Sequence, residues 1–205
     1  VNLRLGGVID MQRQAAHSGL RRMVRALACS VALLAGPAAQ AQDIRIEVSG
    51  ADRALNDAIV SASLLAGARD GGVTNPQDLI AAARADYGRL LGALYADARY
   101  AGVISIEIDG TEAAEISLLD APPKIDRITV RVEPGPVFVF SAARMRPYAA
   151  GTDLPPEYGD TRPARSTAIV AAAAAGVEGW RALGHAKARV AGQDIVADHP
   201  ASTLS

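Results

Sequence analysis

The sequence predicts an α+β fold in which helices cover one face of small mixed sheets. Short segments alternate polar and apolar residues, which is typical of strands, and longer segments place apolar residues three or four positions apart, which is typical of helices. The order strand, helix, helix, strand, strand begins again after residue 134. We therefore expect two β-α-α-β-β units in tandem, each with two helices packed on a three-stranded sheet, the second unit being incomplete.

The net charge of the 205 residues is −1, but it is unevenly distributed. Residues 1–41 contain five of the 21 basic residues and one of the 22 acidic residues, so the remainder has a net charge of −5. A protein that binds nucleic-acid phosphates needs a basic surface. The charge therefore gives no reason to expect a nucleic-acid partner.

Residues 1–41 contain the three parts of a secretory signal: a basic cluster at 21–25, an apolar stretch at 26–36 and Ala-Gln-Ala at 39–41. The apolar stretch is about half as long as the ~20 residues of a membrane-spanning helix, and a buried core helix is the alternative. We expect an upstream extension and a signal peptide cleaved near Ala41, and hence export to the periplasm. Cys29, the only cysteine, lies in this segment, so the mature chain would lack thiols.

Residues 42–134 form the first expected unit, and periodicity defines its elements. Expected strands are 43–48, 103–108 and 125–133, and expected helices are 51–68 and a second one that begins at Pro76. Asn75 is the expected cap of the second helix, because an asparagine side chain can accept hydrogen bonds from the first free N–H groups. Asp109 and Gly110 form an expected turn, and the connection 111–124 contains two prolines and is expected not to be a tight hairpin loop.

Residues 135–205 form the second expected unit, after the rigid corner Pro134-Gly135-Pro136. Its expected elements are a strand over 137–146, a helix capped by Asp160 or Thr161 and ending near Leu183, a strand over 186–191, and the opening of a last strand at 202–205. Tyr95 and Trp180 occupy equivalent places in the two units, which indicates a weak internal repeat of about 85 residues.

Catalytic motifs are not evident in the sequence: it has no phosphate-binding glycine loop, nucleophile elbow or paired Cys-x-x-Cys. The expected mature part has two histidines, His185 and His199, which with Asp194 and Asp198 could form a metal site, but their spacing fits no common ligand pattern. More simply, His185 lies at a helix end and His199 in a turn. We therefore expect no enzyme activity, no catalytic residues, no cofactor and no metal.

Four segments carry a resemblance to a known family. The stretch 132–140 (VEPGPVFVF), which joins the two units, resembles the junction between polypeptide-transport-associated (POTRA) repeats of outer-membrane assembly proteins. The segments 81–100, 103–110 and 179–188 further resemble the TamA-like translocation-and-assembly-module factors of the BamA/TamA superfamily. Members continue through a further repeat into a membrane β-barrel. The sequence shows no such series of strands, so we expect a fragment, a truncated gene product or a barrel-less relative.

The resemblance implies a periplasmic scaffold that acts in outer-membrane protein assembly and binds unfolded outer-membrane clients by strand addition. It also implies an inner-membrane-anchored companion protein, TamB-like, and the outer membrane as location if the barrel were present. The second strand of each repeat would be the binding edge. The implied binding residues are Val103, Ile104, Ser105, Ile106, Glu107, Ile108, Ala186, Lys187, Ala188, Arg189 and Val190. Two alternatives stay open: a structural spacer, and a small periplasmic metal-binding or hydrolytic domain that uses His185 and His199.

Overall fold

In the first part of the chain, one strand is followed by three helices and then by three strands. The computed structural model describes residues 42–205; the predicted signal peptide, its cleavage site at Ala41 and Cys29 lie outside the described residues. In chain order the elements are β1 (Asp43–Val48), α1 (Arg53–Ala62), α2 (Leu64–Asp70), α3 (Pro76–Ala96), β2 (Val103–Ile108), β3 (Thr111–Glu112) and β4 (Arg127–Glu133), with a 3₁₀ turn at Leu118–Asp120 before β4.

The first sheet has the strand order β1-β4-β2-β3. β1 runs parallel to β4, with Ile44 opposite Ile128, whereas β2 runs antiparallel to β4, with Ile106 opposite Val130. Helices and a mixed sheet that occupy separate parts of the sequence confirm the α+β class. The last of these strands in chain order, β4, therefore lies between β1 and β2.

The two faces of this sheet differ in chemistry because successive side chains of a strand point to opposite faces. The even-numbered side chains face the helices, and most are buried: Ile44, Ile106, Ile108, Ile128, Val130 and Val132. The odd-numbered side chains are mostly charged and exposed. Arg131 on the central strand lies between Glu47 on one side, at 3.8 Å, and Glu107 on the other, at 2.8 Å.

The expected single helix over 51–68 is instead two helices. Ser63 has an extended backbone conformation, and its hydroxyl accepts a hydrogen bond of 3.0 Å from the Ala66 N–H, so it caps α2. Capping serines favour helix ends because their side chains compete with the helix for backbone hydrogen bonds. The predicted start of α3 is confirmed, since Asn75 accepts hydrogen bonds from the N–H groups of Gln77 and Asp78.

A tight hairpin with the expected turn at Asp109-Gly110 joins β2 and β3, and the short strand β3 at the start of the connection 111–124 was not expected. Asp109 and Gly110 both have positive φ, at 49° and 86°, as a two-residue turn of the type favoured in hairpins requires. The Asp109 carboxylate accepts hydrogen bonds from the N–H groups of Asp126 and Arg127. The two prolines follow β3, and the predicted strand 125–133 begins at Arg127.

A second, smaller sheet follows the Pro-Gly-Pro corner. Its elements are β5 (Val139–Phe140), α4 (Ser166–Ala182), β6 (Ala197–Asp198) and β7 (Thr203–Leu204). The strand order is β5-β7-β6, with β5 parallel and β6 antiparallel to the central β7. The three main strands of the first sheet have the same arrangement, because β1 and β2 flank the later strand β4 in the same orientations.

Several sequence expectations for the second half are wrong. The strand expected over 137–146 consists of Val139–Phe140, and α4 begins at Ser166 without a side-chain cap. Asp160 does not cap α4; it accepts a hydrogen bond of 2.8 Å from the Ala143 N–H. Thr161 has a φ of 64°, which lies outside the helical region.

The strand expected over 186–191 is also absent from the structure. The segment is a turn followed by irregular backbone, and it includes Ala186, Lys187, Ala188, Arg189 and Val190. Its small and charged side chains are exposed or half-buried, so alternation gives them no apolar face to bury against the sheet. The strand that pairs with β7 begins further along, at Ala197.

The two sheets have separate buried clusters, but the described residues all belong to one compact unit. The hydroxyl of Tyr100 donates a hydrogen bond of 2.7 Å to the Ala164 carbonyl, and the Phe138 N–H donates one of 2.8 Å to the Ala98 carbonyl. Tyr100 also packs edge-on against Phe138. No helix within residues 42–205 is both long and apolar enough to cross a membrane.

Candidate strand-pairing edges

The outer edge of β2 is closed over its second half, which corrects the expectation that Val103–Ile108 forms a free edge. β3 pairs with Glu107 and Ile108. At Ile106, the carbonyl accepts a hydrogen bond of 2.7 Å from the Ala113 N–H, and the N–H donates one of 3.1 Å to the Glu112 carboxylate. These two groups point away from β4, so the position that an added strand would occupy beside Ile106 is filled.

Glu112 is the centre of this closure. Its carboxylate also accepts hydrogen bonds from the hydroxyl of Ser105, at 3.0 Å, and from the hydroxyl of Tyr87 on α3. Burial raises the pKa of Tyr87 to about 12, and the hydrogen bond to Glu112 adds to the shift. Burial opposes ionisation of Glu112, but the hydrogen bonds from Tyr87, Ile106 and Ser105 outweigh it and lower the pKa of this carboxyl.

Only the first half of β2 stays open. Backbone groups alternate in direction along a strand, so the N–H and C=O of Ile104 point to the same side as those of Ile106, away from β4. Within residues 42–205 no partner strand covers this side of Ile104, and the neighbouring Val103 side chain is 60% exposed. An opening of one residue offers little main-chain pairing.

The fully open edge belongs to β1. The N–H groups of Asp43 and Ser49 donate to the carbonyls of Asp126 and Val132, at 3.2 and 3.0 Å, which shows that the odd-numbered residues of β1 direct their backbone groups to β4. Ile44, Ile46 and Val48 therefore direct their N–H and C=O groups outward. Among the described residues, none forms a strand on that side of β1. An unpaired strand of this length can accept an extended segment.

β1 could be identified from the sequence as a strand but not as an open edge. The alternation in residues 43–48 shows a half-buried strand, but it does not show which strand lies at the centre of the sheet. One feature of the sequence indicates that the outer edge of β2 is covered. Glu112 follows the Asp109-Gly110 turn, and a two-residue turn of this kind favours a hairpin, which would place Glu112 beside β2. The open edge of β1 therefore offers a row of main-chain N–H donors and C=O acceptors to an extended segment.

Within the segment 186–190, Ala188, Arg189 and Val190 line a groove instead of extending a sheet. The groove has a volume of 790 Å³ and lies between α4 and the irregular segments that flank it, with Met145, Tyr158, Trp180, Val190 and Ile195 in its lining. Trp180 is half-buried, and its indole N–H donates a hydrogen bond of 3.1 Å to the Pro147 carbonyl. The residues expected to pair as a second binding edge thus lie beside α4.

The candidate metal ligands do not form one group: His185 and Asp194 both line the groove beside α4, whereas Asp198 and His199 lie at the turn between β6 and β7. His185 packs edge-on against Trp180 at the end of α4, whereas His199 packs edge-on against Phe138 in the turn between β6 and β7. Asp198 accepts a hydrogen bond from the Ala201 N–H. Within the part of the chain that the structure describes, no three His, Cys, Asp or Glu side chains come together as a metal site.

Comparison with known proteins gives no assignment: no protein-family model matches the chain, and no curated protein sequence matches it.

Proposed function

We propose that the chain is an exported, periplasmic scaffold of outer-membrane protein assembly, of the POTRA-containing TamA-like kind, and that it is not an enzyme. In this proposal it binds unfolded outer-membrane clients by strand addition and works with an inner-membrane-anchored companion protein. The motif resemblance supports the class of function. The observation that carries the mechanism is the open edge of β1, where Ile44, Ile46 and Val48 direct their backbone groups outward.

The structure changes the proposed binding residues from β2 to β1. A client strand beside β1 would extend the first sheet to five strands, with backbone pairing that does not depend on the client's sequence. Ile46 and Val48 are only partly buried, so apolar client side chains on the helix-facing side would pack against them. Arg45 and Glu47 on the other face would contact alternate, polar client side chains.

Two substitutions at Ile46 test this mechanism. Ile46→Pro removes an N–H that faces the open edge and is not used in pairing with β4, and edge strands tolerate proline at such positions. Ile46→Ala truncates the same side chain but keeps the N–H, so it is the matched control. The probe is a labelled synthetic peptide with the alternating sequence of an outer-membrane barrel strand. We expect the alanine variant to bind it and the proline variant, still folded by circular dichroism, to lose binding.

Equal binding of the peptide by both folded variants would contradict strand addition at β1. Photo-cross-linking in cells gives an independent measurement, with the cross-linker at Glu47 on β1 and, as control, at Glu107 on the same face beside β3. We expect client adducts at Glu47 and not at Glu107.

A structural spacer is the second candidate, and the corner between the sheets favours it. Gly135 has a φ of 69°, and the Arg99 guanidinium donates a hydrogen bond of 2.5 Å to its carbonyl, which holds the corner in one shape. A spacer needs a fixed angle but no client contact. Absence of adducts at both Glu47 and Glu107, with a corner variant that impairs assembly, would favour the spacer over the scaffold.

A further inference from the structure

The charged side chains of β1 have a pattern that is complementary to itself. Along the exposed face of the strand, Asp43, Arg45 and Glu47 alternate in sign, and Arg45 and Glu47 are exposed. On the opposite face Ile44 is buried, and Ile46 and Val48 are partly buried. We propose that a second copy of this chain pairs with the open β1 edge, antiparallel and about a twofold axis at Ile46, so that the two first sheets join into one.

The direction of the backbone groups limits the possible registers. In antiparallel strands, two residues that both direct N–H and C=O toward each other form one hydrogen-bonded pair. On β1 those residues are Ile44, Ile46 and Val48, so each must lie opposite another member of this set. Three registers satisfy this condition and pair a substantial part of the strand. They differ in the residue at which the twofold axis lies, which is Arg45, Ile46 or Glu47.

Charge selects one register. An axis at Arg45 places Arg45 opposite Arg45 of the second copy, and an axis at Glu47 places two Glu47 carboxylates opposite each other; like charges in direct cross-strand positions are destabilising. An axis at Ile46 places Arg45 opposite Glu47 of the second copy, twice by symmetry. It also places Ile44 opposite Val48, so that apolar side chains pair on the other face. Parallel pairing of the same two edges would need a twofold axis along the strands, and this axis places the charged face of one sheet beside the helix-covered face of the other.

The packing of the first sheet is compatible with this axis. A twofold axis perpendicular to the sheet places both helix-covered faces on one side and both charged faces on the other. The partly buried Ile46 side chains of the two copies then meet at the axis and continue the apolar layer of both cores. Such a joint removes the bare edge that a soluble protein otherwise has to protect.

The pairing does not depend on the proposed function. If clients also bind β1, the second copy and the client compete for the same edge, and the dimer keeps the edge covered when no client is present. The two strands pair over few residues and bury little surface. We therefore expect the dimer to form only at micromolar or higher concentrations of the chain.

Charge reversal provides the test, with sedimentation velocity of the purified full chain up to high-micromolar concentration as the measurement. Arg45→Glu alone places two glutamates opposite each other in each half of the joint, and Glu47→Arg alone places two arginines there. We expect each single variant to dimerise at least roughly tenfold more weakly than the wild type. Arg53→Glu, an equal charge change at an exposed site on α1, is the control and should dimerise normally.

Mixing the two single variants is the decisive step. The Arg45→Glu chain has glutamate at both positions and the Glu47→Arg chain has arginine at both, so each restores the two attractive pairs only with the other. We therefore expect heterodimers in the mixture, and wild-type-like homodimers for the chain that carries both substitutions. A wild-type chain that stays monomeric throughout would overturn the proposal. Single variants that dimerise like the wild type would also overturn it, as would a mixture that forms no more dimer than the two variants form separately.

Discussion

The hydroxyl of Ser63 donates a hydrogen bond of 2.6 Å to the Asp86 carboxylate, and both side chains are buried. Asp86 lies in the middle of α3, and its carboxylate also accepts from the N–H groups of Leu64 and Leu65, at 2.7 and 3.1 Å. A carboxylate at the first turn of a helix satisfies N–H groups that have no partner within that helix. Asp86 therefore fixes the start of α2 from a neighbouring helix.

Removing the Asp86 carboxylate is expected to destabilise the fold. Asp86→Ala leaves the buried Ser63 hydroxyl and the N–H groups of Leu64 and Leu65 without this partner, and we expect a loss of about 2–4 kcal/mol in the free energy of unfolding. Asp86→Asn keeps one acceptor oxygen and should lose about 1–2 kcal/mol. Urea unfolding followed by circular dichroism measures both; an alanine variant as stable as the wild type would show that water replaces the carboxylate.

The Glu112 cluster predicts a pH dependence for the closed half of β2. The lowered pKa of Glu112 means that the folded state favours its charged form, so this contribution to stability is present above about pH 4.5 and decreases as the pH falls through the folded pKa. In Glu112→Gln we expect a smaller loss of stability between neutral and acid pH than in the wild type. Thermal unfolding across this range, with both proteins in the same buffers, is the measurement.

The opposite sign holds for Tyr87. Its pKa is raised to about 12, so the stability it contributes is complete below the ordinary value of 10 and is lost as the pH rises toward 12. We expect the ultraviolet absorbance of ionised tyrosine to include one late-titrating group in the wild type. The same titration in Tyr87→Phe should lack that group, and a profile that is unchanged by this substitution would contradict the assignment.

Gly135 at the corner and Gly50 after β1 form a matched pair of substitutions. Both have positive φ, at 69° and 63°, which costs any L side chain about 1 kcal/mol. At Gly50 an added Cβ meets open space, whereas at Gly135 it would lie 3.0 Å from the Ala101 carbonyl oxygen. We expect Gly50→Ala to lose about 1 kcal/mol and Gly135→Ala about 1–2 kcal/mol more, because the backbone at Ala101 has to move. Equal losses in urea unfolding would show that the corner adapts freely.

The second sheet is expected to open more readily than the first. Its cluster of buried residues consists of Phe138, Phe140, Ala164 and Leu204, whereas the first core contains many buried aliphatic side chains on three helices and three strands. Local stability follows buried apolar contact. We expect backbone amides of β7 to exchange with solvent at least roughly tenfold faster than those of β4, measured by hydrogen exchange with NMR detection. Equal rates would show that the two sheets unfold together.

Much of the first half of the fold could be predicted from the sequence because its signals are local. The alternation in β1 and β2 and the Asn75-Pro76 start of α3 each depend on neighbouring residues. The α1–α2 break could not be predicted in the same way, since it depends on Asp86, more than 20 positions away. In the second half, alternation of small residues after His185 indicated a strand, but no strand of the second sheet lies beside this segment to pair with it.

For the candidate site, the sequence indicated the type of interaction, pairing at a strand edge, but not the strand that has the open edge. A strand edge was expected from the sequence, but on β2, and the closure of that edge depends on how Glu112 reaches back to Ile106. Which strand is central is a property of pairing between distant segments, and periodicity within one segment carries no information about it. The outward groups of Ile44, Ile46 and Val48 could be identified only once the β1–β4 register was known.

The central position of β4 also has a consequence for how the chain folds. Asp43 is opposite Arg127, so β1 has no partner on either side until more than 80 further residues have been made available. During that interval the nascent strand has two bare edges, the situation in which hydrophobic strands aggregate. The alternating charges of Asp43, Arg45 and Glu47 disfavour aggregation while the strand is unpaired, because they interrupt the uniformly apolar surface that intermolecular stacking needs.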